Sequence, residues 1–325
     1  MNIRNIYRYL RYILRGCRPN LAILDISNTC NAQCLFCPRV YMAKDRRNGY
    51  MTKTTLEGVI VWLKHLHIQQ VRLYSVGEPL LNPDFEYIIR RLKEEHLTIA
   101  VSTNGTRLLQ HKEALMQVDY LQISINGWDN TSYDYLHGTV RFKELYDQLR
   151  EYADYNHEHH GSEITINMLM TPHTDLNLFL TLWGPYVDHI KIHPLTGTTA
   201  YDGTQFYTTY PGGQHNYFPS YHDDTNGCMY PYDVLTISYD GKLGLCCEDF
   251  NTNILDINII DDGIKPYRHS ELLRSLRHGF FNRTPTLCHG CNRFNKPHPE
   301  SIKIIQNKIN RVSNNPYKEK LEPCL

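Results

Sequence analysis

Between Leu21 and His193 the sequence repeats one pattern: an apolar run of strand length, a polar loop, then a stretch of helical period. The runs are LAILDI (Leu21 to Ile26), VRLYS (Val71 to Ser75), LTIAVS (Leu97 to Ser102), YLQISI (Tyr120 to Ile125), EITINMLM (Glu163 to Met170) and HIKIH (His189 to His193). A helical crossover returns the chain to the same end of a sheet, so consecutive strands of this kind run parallel. That confines the chain to an open doubly wound sheet or a partial barrel. The first helix is expected in TTLEGVIVWLKHL, with Thr54 and Glu57 as a capping box and Val59, Trp62, Leu63 and Leu66 as the buried stripe. Others are expected after Asn82-Pro83 and over Leu108 to Gln117, Phe142 to Tyr152 and Asp175 to Trp183.

Unusual residues follow the first four strands. Cys30, Cys34 and Cys37, spaced C-x3-C-x2-C with Phe36 before the last, come after the first run. VGEP (Val76 to Pro79), STNG (Ser102 to Gly105) and SING (Ser124 to Gly127) come after the next three. Parallel β/α folds build their sites at these carboxyl ends, where the loops converge.

The chain has 10 cysteines, and its Lys plus Arg count equals its Asp plus Glu count at 34 each, which gives no global footprint for nucleic acid. No apolar run is long enough for a membrane span and the N-terminus lacks a secretory apolar core, so a cytoplasmic protein is expected. Thiols stay reduced there, and clustered cysteines then mean metal or catalysis rather than disulfides. Cys17 and Cys324 stand alone and are read as bystanders. Three thiolates with no nearby fourth Cys or His suit an iron-sulfur cluster with one open iron; catalytic zinc is the alternative. Later in the chain, Cys228, Cys246 and the pair Cys288-x2-Cys291 make a closed four-thiolate set that fits a second cluster or zinc equally well.

The cysteine loop after the first strand, followed in order by VGEP, STNG and SING, resembles the radical S-adenosylmethionine (radical SAM) superfamily over Leu21 to His193. The resemblance implies a partial (β/α)6 TIM-like barrel holding a 4Fe-4S cluster on Cys30, Cys34 and Cys37, with SAM on the open iron. By the same resemblance Gly77 and Glu78 would hold the SAM amine, Ser124 and Asn126 its ribose or carboxylate, and backbone beside Phe36 its adenine. Asn104, in the STNG segment, joins this cofactor-binding set. Val76 stands where many members have glycine, and His137 stands where relatives place an arginine against the SAM carboxylate; Arg141 is the nearby substitute. The late cysteines resemble the small α+β SPASM or twitch domain with one auxiliary 4Fe-4S cluster. Its short twitch form favours Cys246 over Cys247.

The expected organisation is a basic amphipathic helix at 1–20, the barrel at 21–200, an aromatic-rich loop at 201–227, the SPASM/twitch domain at 228–295 and a basic, poorly specified tail at 296–325. The run from Tyr201 to Tyr232 holds nine Tyr or Phe and is read as pocket wall. Asp240-Gly241 signals a type I′ hairpin, and HEHH at His157 to His160 a solvated turn. The N-terminal helix has Ile3, Ile6, Tyr7, Leu10, Ile13 and Leu14 on one face and arginines on the other, and is expected to pack on the barrel, with peripheral membrane contact as the alternative.

One open and one closed cluster imply a radical SAM oxidoreductase that abstracts a hydrogen atom and passes an electron to the auxiliary cluster. Its substrate is read as an alcohol of a sugar- or cyclitol-like metabolite, and its electron donor as a flavodoxin or ferredoxin. A peptide substrate in a maturase is the alternative enzyme reading. A zinc-stabilised binding protein is the alternative of another class.

Overall fold

The computed structural model describes residues 3–14, 18–37, 39, 47–196, 198–199, 205–206, 209–210, 214–215, 220–222, 228, 230–252, 254–275 and 295–324. By internal contacts the chain forms two units: Met1–Cys30, Pro38–Val101 and Asp224–Cys291 in the first, Asn31–Cys37, Ser102–Asp223 and Asn292–Leu325 in the second. The fold is mixed α/β with mostly parallel strands, as a partial TIM-like barrel requires.

In the first unit the chain runs through α1 (Ile3–Leu14), β1 (Leu21–Leu24), α2 (Lys53–His65), β2 (Gln70–Leu73) and α3 (Phe85–Glu94) into β3 (Thr98–Thr103), which ends in the second unit. β1 pairs in parallel with β2, and β2 with β3. Ala22, Ile23 and Leu24 are fully buried, the continuous apolar pattern of a parallel strand covered on both faces.

The capping box expected at Thr54 does not form. Thr52 caps α2 by accepting from the Thr55 N–H, and Glu57 instead takes a bidentate pair from Arg91 at 2.8 Å to each carboxylate oxygen. A guanidinium fork outcompetes a backbone amide for a carboxylate. Nor does α1 bury its apolar stripe: Ile6, Tyr7, Leu10, Ile13 and Leu14 are exposed, while Tyr9 meets Tyr232 edge-on with ring centroids 5.7 Å apart.

Val234–Ile237 lies parallel beside β1, and Leu243–Gly244 returns antiparallel to it. The connection departs from the expected type I′ turn, which needs positive φ at both central residues. Only Gly241 is left-handed here (φ +87°); Asp240 is not, and the Gly241 N–H closes on the Ser238 carbonyl.

The second unit contains α4 (Lys112–Leu115), β4 (Tyr120–Ser124), α5 (Asn130–His137), α6 (Phe142–Glu158), β5 (Glu163–Met170), α7 (Leu176–Trp183) and β6 (His189–Pro194). Within it β4, β5 and β6 are parallel neighbours. His157 and Glu158 belong to the last turn of α6, and His159 and His160 follow it, all exposed. Where a poorly specified tail was expected, a helix spans Pro299–Arg311 and the strand Leu321–Pro323 pairs in parallel with β6. Ile305 is fully buried, and the Lys308 and Lys320 ammonium groups donate to the carbonyls of Thr174, Gly184 and Val187.

α7 is anchored by Trp183, fully buried, whose indole N–H donates to the Gly127 carbonyl at 3.0 Å and so fixes the loop after β4. Trp183→Phe should destabilise the protein by roughly 1–3 kcal/mol through that lost donor, read as a lower midpoint in denaturant titration. A midpoint equal to wild type would show that the bond does not hold the loop.

Candidate functional site

The segment leaving β1 is fixed by its backbone. In the first unit, buried Asn82 donates to the carbonyls of Ile26 and Met51, and Asn28 donates to the Arg47 carbonyl while accepting from the Gly49 N–H. The Glu78 N–H donates to the Thr29 carbonyl at 2.7 Å, one residue before Cys30. Glu78 is buried, with one carboxylate oxygen accepting from the Leu80 N–H. Gly77 lies so close to this segment that a Cβ there would stand 1.8 Å from the Ser27 carbonyl oxygen. The loops after β1 and β2 are thus joined directly ahead of the cysteines.

The second unit holds Asn31–Cys37. The Cys37 N–H closes a turn on the Cys34 carbonyl at 3.1 Å, which sets these two cysteines on one bend. The N–H groups of Gln33 and Leu35 donate to the carbonyls of His137 and Leu136, terminal acceptors of α5 that its own ladder leaves open. Thr139 donates its hydroxyl to the Asn31 carbonyl. The Asn31 side chain donates to Thr106 at 2.9 Å and accepts from the Asn104 amide at 2.8 Å. The Asn104 carbonyl oxygen in turn accepts from Thr106 N–H and hydroxyl. Asn104 thus donates to Asn31 of the cysteine loop through its amide nitrogen and fixes Thr106 through its oxygen.

Asn126 and His137 form a second clamp. The Asn126 side-chain oxygen accepts from the Leu169 N–H of β5 at 2.7 Å, and its amide nitrogen stands 3.1 Å from His137 Nε2. His137 Nδ1 is 3.5 Å from Cys34 Sγ. The ring stacks on Tyr133 with centroids 4.1 Å apart and meets Phe36 edge-on. It is 1 % exposed, and burial pushes its pKa down to about 3, so the imidazole is neutral. The ring is desolvated, and Asn126 and Cys34 face its two nitrogens. Arg141 pairs with Asp134 at 3.3 Å. Ser124 ends β4 half-buried and carries no such internal clamp among the described bonds.

The Cys30, Cys34 and Cys37 side chains are each half-exposed. Among the described residues, no three Cys, His, Asp or Glu side chains already stand as a closed metal site. The chemistry of the donors fits an iron-sulfur cluster: cysteine thiols are the soft ligands such clusters take, with Cys30 ending the first unit's segment after β1 and Cys34 and Cys37 on one turn of the second unit. Of the late cysteines, Cys228 and Cys246 are half-buried. The turn around Cys246 is fixed by buried Asp249, which accepts from the Leu245 N–H and donates its own N–H to the Cys246 carbonyl. Adjacent Cys247 directs its thiol to the Glu248 carboxylate at 3.9 Å. Cys288, Cys291 and most of the aromatic loop after Tyr201 lie outside the described residues.

Two parts of the site are absent from the sequence reading. α5 was not anticipated, although Asp129 accepts from the Ser132 N–H and Ser132 reaches back, a capping box that marks its start. The clamps by Asn31, Thr106 and Thr139 carry no signal beyond polar residues beside the cysteines and after β3.

Residues 24–178 match the Radical SAM superfamily. A probable GTP 3',8-cyclase of Pyrococcus horikoshii is 30% identical over 117 residues, 35% of this chain and 37% of that protein. The corresponding protein of Methanocaldococcus jannaschii is 28% identical over 151 residues, 46% of each chain. The match thus spans less than half the length of these curated relatives. Among solved structures, Streptococcus suis SuiB bound to precursor peptide SuiA aligns with a TM-score of 0.62 at 15% identity, over 83% of this chain and 70% of that one. The enzyme anSMEcpe with bound AdoMet aligns at 0.57 and 13% identity over 94% and 100%. BtrN in complex with AdoMet and 2-DOIA aligns at 0.51 and 18% over 81% and 87%. At these identities the structures establish a shared fold.

Proposed function

We propose that this chain, which carries a radical SAM domain over residues 24–178, is an oxidoreductase that consumes SAM to oxidise an alcohol of a small polar metabolite. The observation that carries the reading is the C-x3-C-x2-C segment that follows the parallel strand β1, with backbone bonds at Thr29 in the first unit and at Gln33, Leu35 and Cys37 in the second. Cys30, Cys34 and Cys37 would hold the 4Fe-4S cluster. That group, with SAM on its open iron, supplies the one-electron cleavage of SAM to a 5′-deoxyadenosyl radical. Gly77 and Glu78 would seat the SAM amine, Ser124 its ribose or carboxylate, and backbone at Phe36 its adenine. Asn104, Asn126 and His137 act in this reading by holding the cysteine segment.

Cys228, Cys246, Cys288 and Cys291 would hold an auxiliary cluster with no free coordination position, suited to carrying electrons. When the abstracted hydrogen atom has left an alcohol carbon, loss of the hydroxyl proton and one electron yields a carbonyl. A cluster held by these four cysteines would supply the acceptor for that electron, and a flavodoxin or ferredoxin would supply the one used to cleave SAM.

Deuterium at the abstracted position of the substrate should appear in 5′-deoxyadenosine, formed one per product. Deuterium in recovered SAM, or many turnovers per SAM, would refute the oxidation. The names of the curated relatives favour a second reading, cyclisation of GTP. Anaerobic incubation with GTP separates the two: a cyclised nucleotide product would replace the oxidoreductase reading. A ribosomal peptide as substrate would be recognised by mass change of the peptide instead.

A further inference from the structure

The clamp around His137 assigns its proton. The Leu169 backbone N–H can only donate, so the Asn126 atom facing it is the oxygen, and the amide nitrogen faces His137. That NH2 group donates to Nε2, which makes Nε2 the acceptor nitrogen of a neutral imidazole. The ring hydrogen therefore sits on Nδ1, the nitrogen 3.5 Å from Cys34 Sγ. Stacking on Tyr133 and the edge of Phe36 hold the ring plane in place.

We infer that His137 is a positioning residue that donates its Nδ1–H to the Cys34 thiolate and thereby raises the reduction potential of the cluster held there. The inference rests on the reading of Cys34 as a cluster ligand. Hydrogen bonds to ligating sulfurs are among the terms that set iron-sulfur potentials. The added electron places more negative charge on the sulfurs, so a fixed N–H donor stabilises the reduced form more than the oxidised one. The donor's orientation is relayed from the β5 backbone through Asn126 to Cys34, so the strand that follows α6 helps set how easily the cluster is reduced.

The test is an EPR-monitored redox titration of the reconstituted full chain without SAM, following the signal that disappears in the Cys30/Cys34/Cys37→Ala triple variant. His137→Leu should reduce the equilibrium constant for cluster reduction about tenfold, a shift of about 59 mV to lower potential for one electron. His137→Asn, whose amide nitrogen takes the place of Nδ1, should restore most of that shift. Wild-type protein carrying 15N-histidine should show an imidazole nitrogen coupled to the reduced cluster in pulsed EPR, a measurement independent of how the variants fold. An unchanged potential in His137→Leu, or no nitrogen coupling in wild type, overturns the inference and leaves the proposed function standing. Absence of any signal dependent on the three cysteines removes both.

Discussion

Replacing Gly77 with alanine should give a protein that is strongly destabilised or lacks the cysteine-dependent iron, although Gly77 is no ligand. A Cβ there meets the Ser27 carbonyl oxygen at 1.8 Å, the Ser27 carbonyl carbon at 2.6 Å and Asn28 Cα at 2.8 Å. All three are backbone, so no side chain can swing aside. The backbone beside them is also fixed: Asn28 is bonded through both ends of its amide, and Glu78 is bonded through its N–H to Thr29. Overpacking against yielding side chains costs about 1–3 kcal/mol, and a clash with tethered backbone belongs at or above the top of that range. Denaturant titration of the unreconstituted protein and iron analysis after reconstitution check this. Wild-type stability with full iron would show that the two loops are not packed as described.

The second large effect is chemical. Replacing Cys30, Cys34 and Cys37 together with alanine should abolish reductive cleavage of SAM by dithionite under anaerobic conditions. The proposed auxiliary cluster should keep its roughly four irons, since Cys228, Cys246, Cys288 and Cys291 rather than these three residues would hold it. Cleavage at the wild-type rate would refute the assignment of the three cysteines. A triple variant containing zinc and no iron would remove the auxiliary cluster as electron acceptor.

The parallel α/β framework is legible from the alternation of apolar runs, since β1 to β6 fall where LAILDI, VRLYS, LTIAVS, YLQISI, EITINMLM and HIKIH stand. β1 is near-continuously buried, whereas β2, β3 and β4 alternate buried with exposed or half-exposed residues, and both patterns are visible without any knowledge of neighbours. α7 is legible for a similar reason: Asp175 caps it by accepting from the Leu178 N–H, a local interaction read from local sequence. The C-terminal helix gave a weaker signal, yet Pro299 at its start and Ile305 at its centre obey the same rules. Its charged residues hid it, because Lys308 finds its partner, the Thr174 carbonyl, far away in the chain.

Long-range partners also explain what the sequence does not display. Glu57 reads as a capping residue until Arg91 is placed beside it, and Arg91 lies on a different helix. Asn104, Asn126 and His137 stand at strand and helix ends, and their bonds depend on what stands opposite. Asn31, Leu169 and Cys34 supply those partners. The cysteine spacing is a local pattern, whereas the bonds that hold its loop come from residues after β3 and α5.

EPR of the reduced wild-type protein before and after addition of SAM tests the central claim most directly. The account predicts a 4Fe-4S signal dependent on Cys30, Cys34 and Cys37 whose shape changes when SAM binds, because the open iron gains ligands that the protein does not supply. Colourless protein containing zinc and no iron, or a cysteine-dependent iron signal that SAM leaves unaltered, would contradict it.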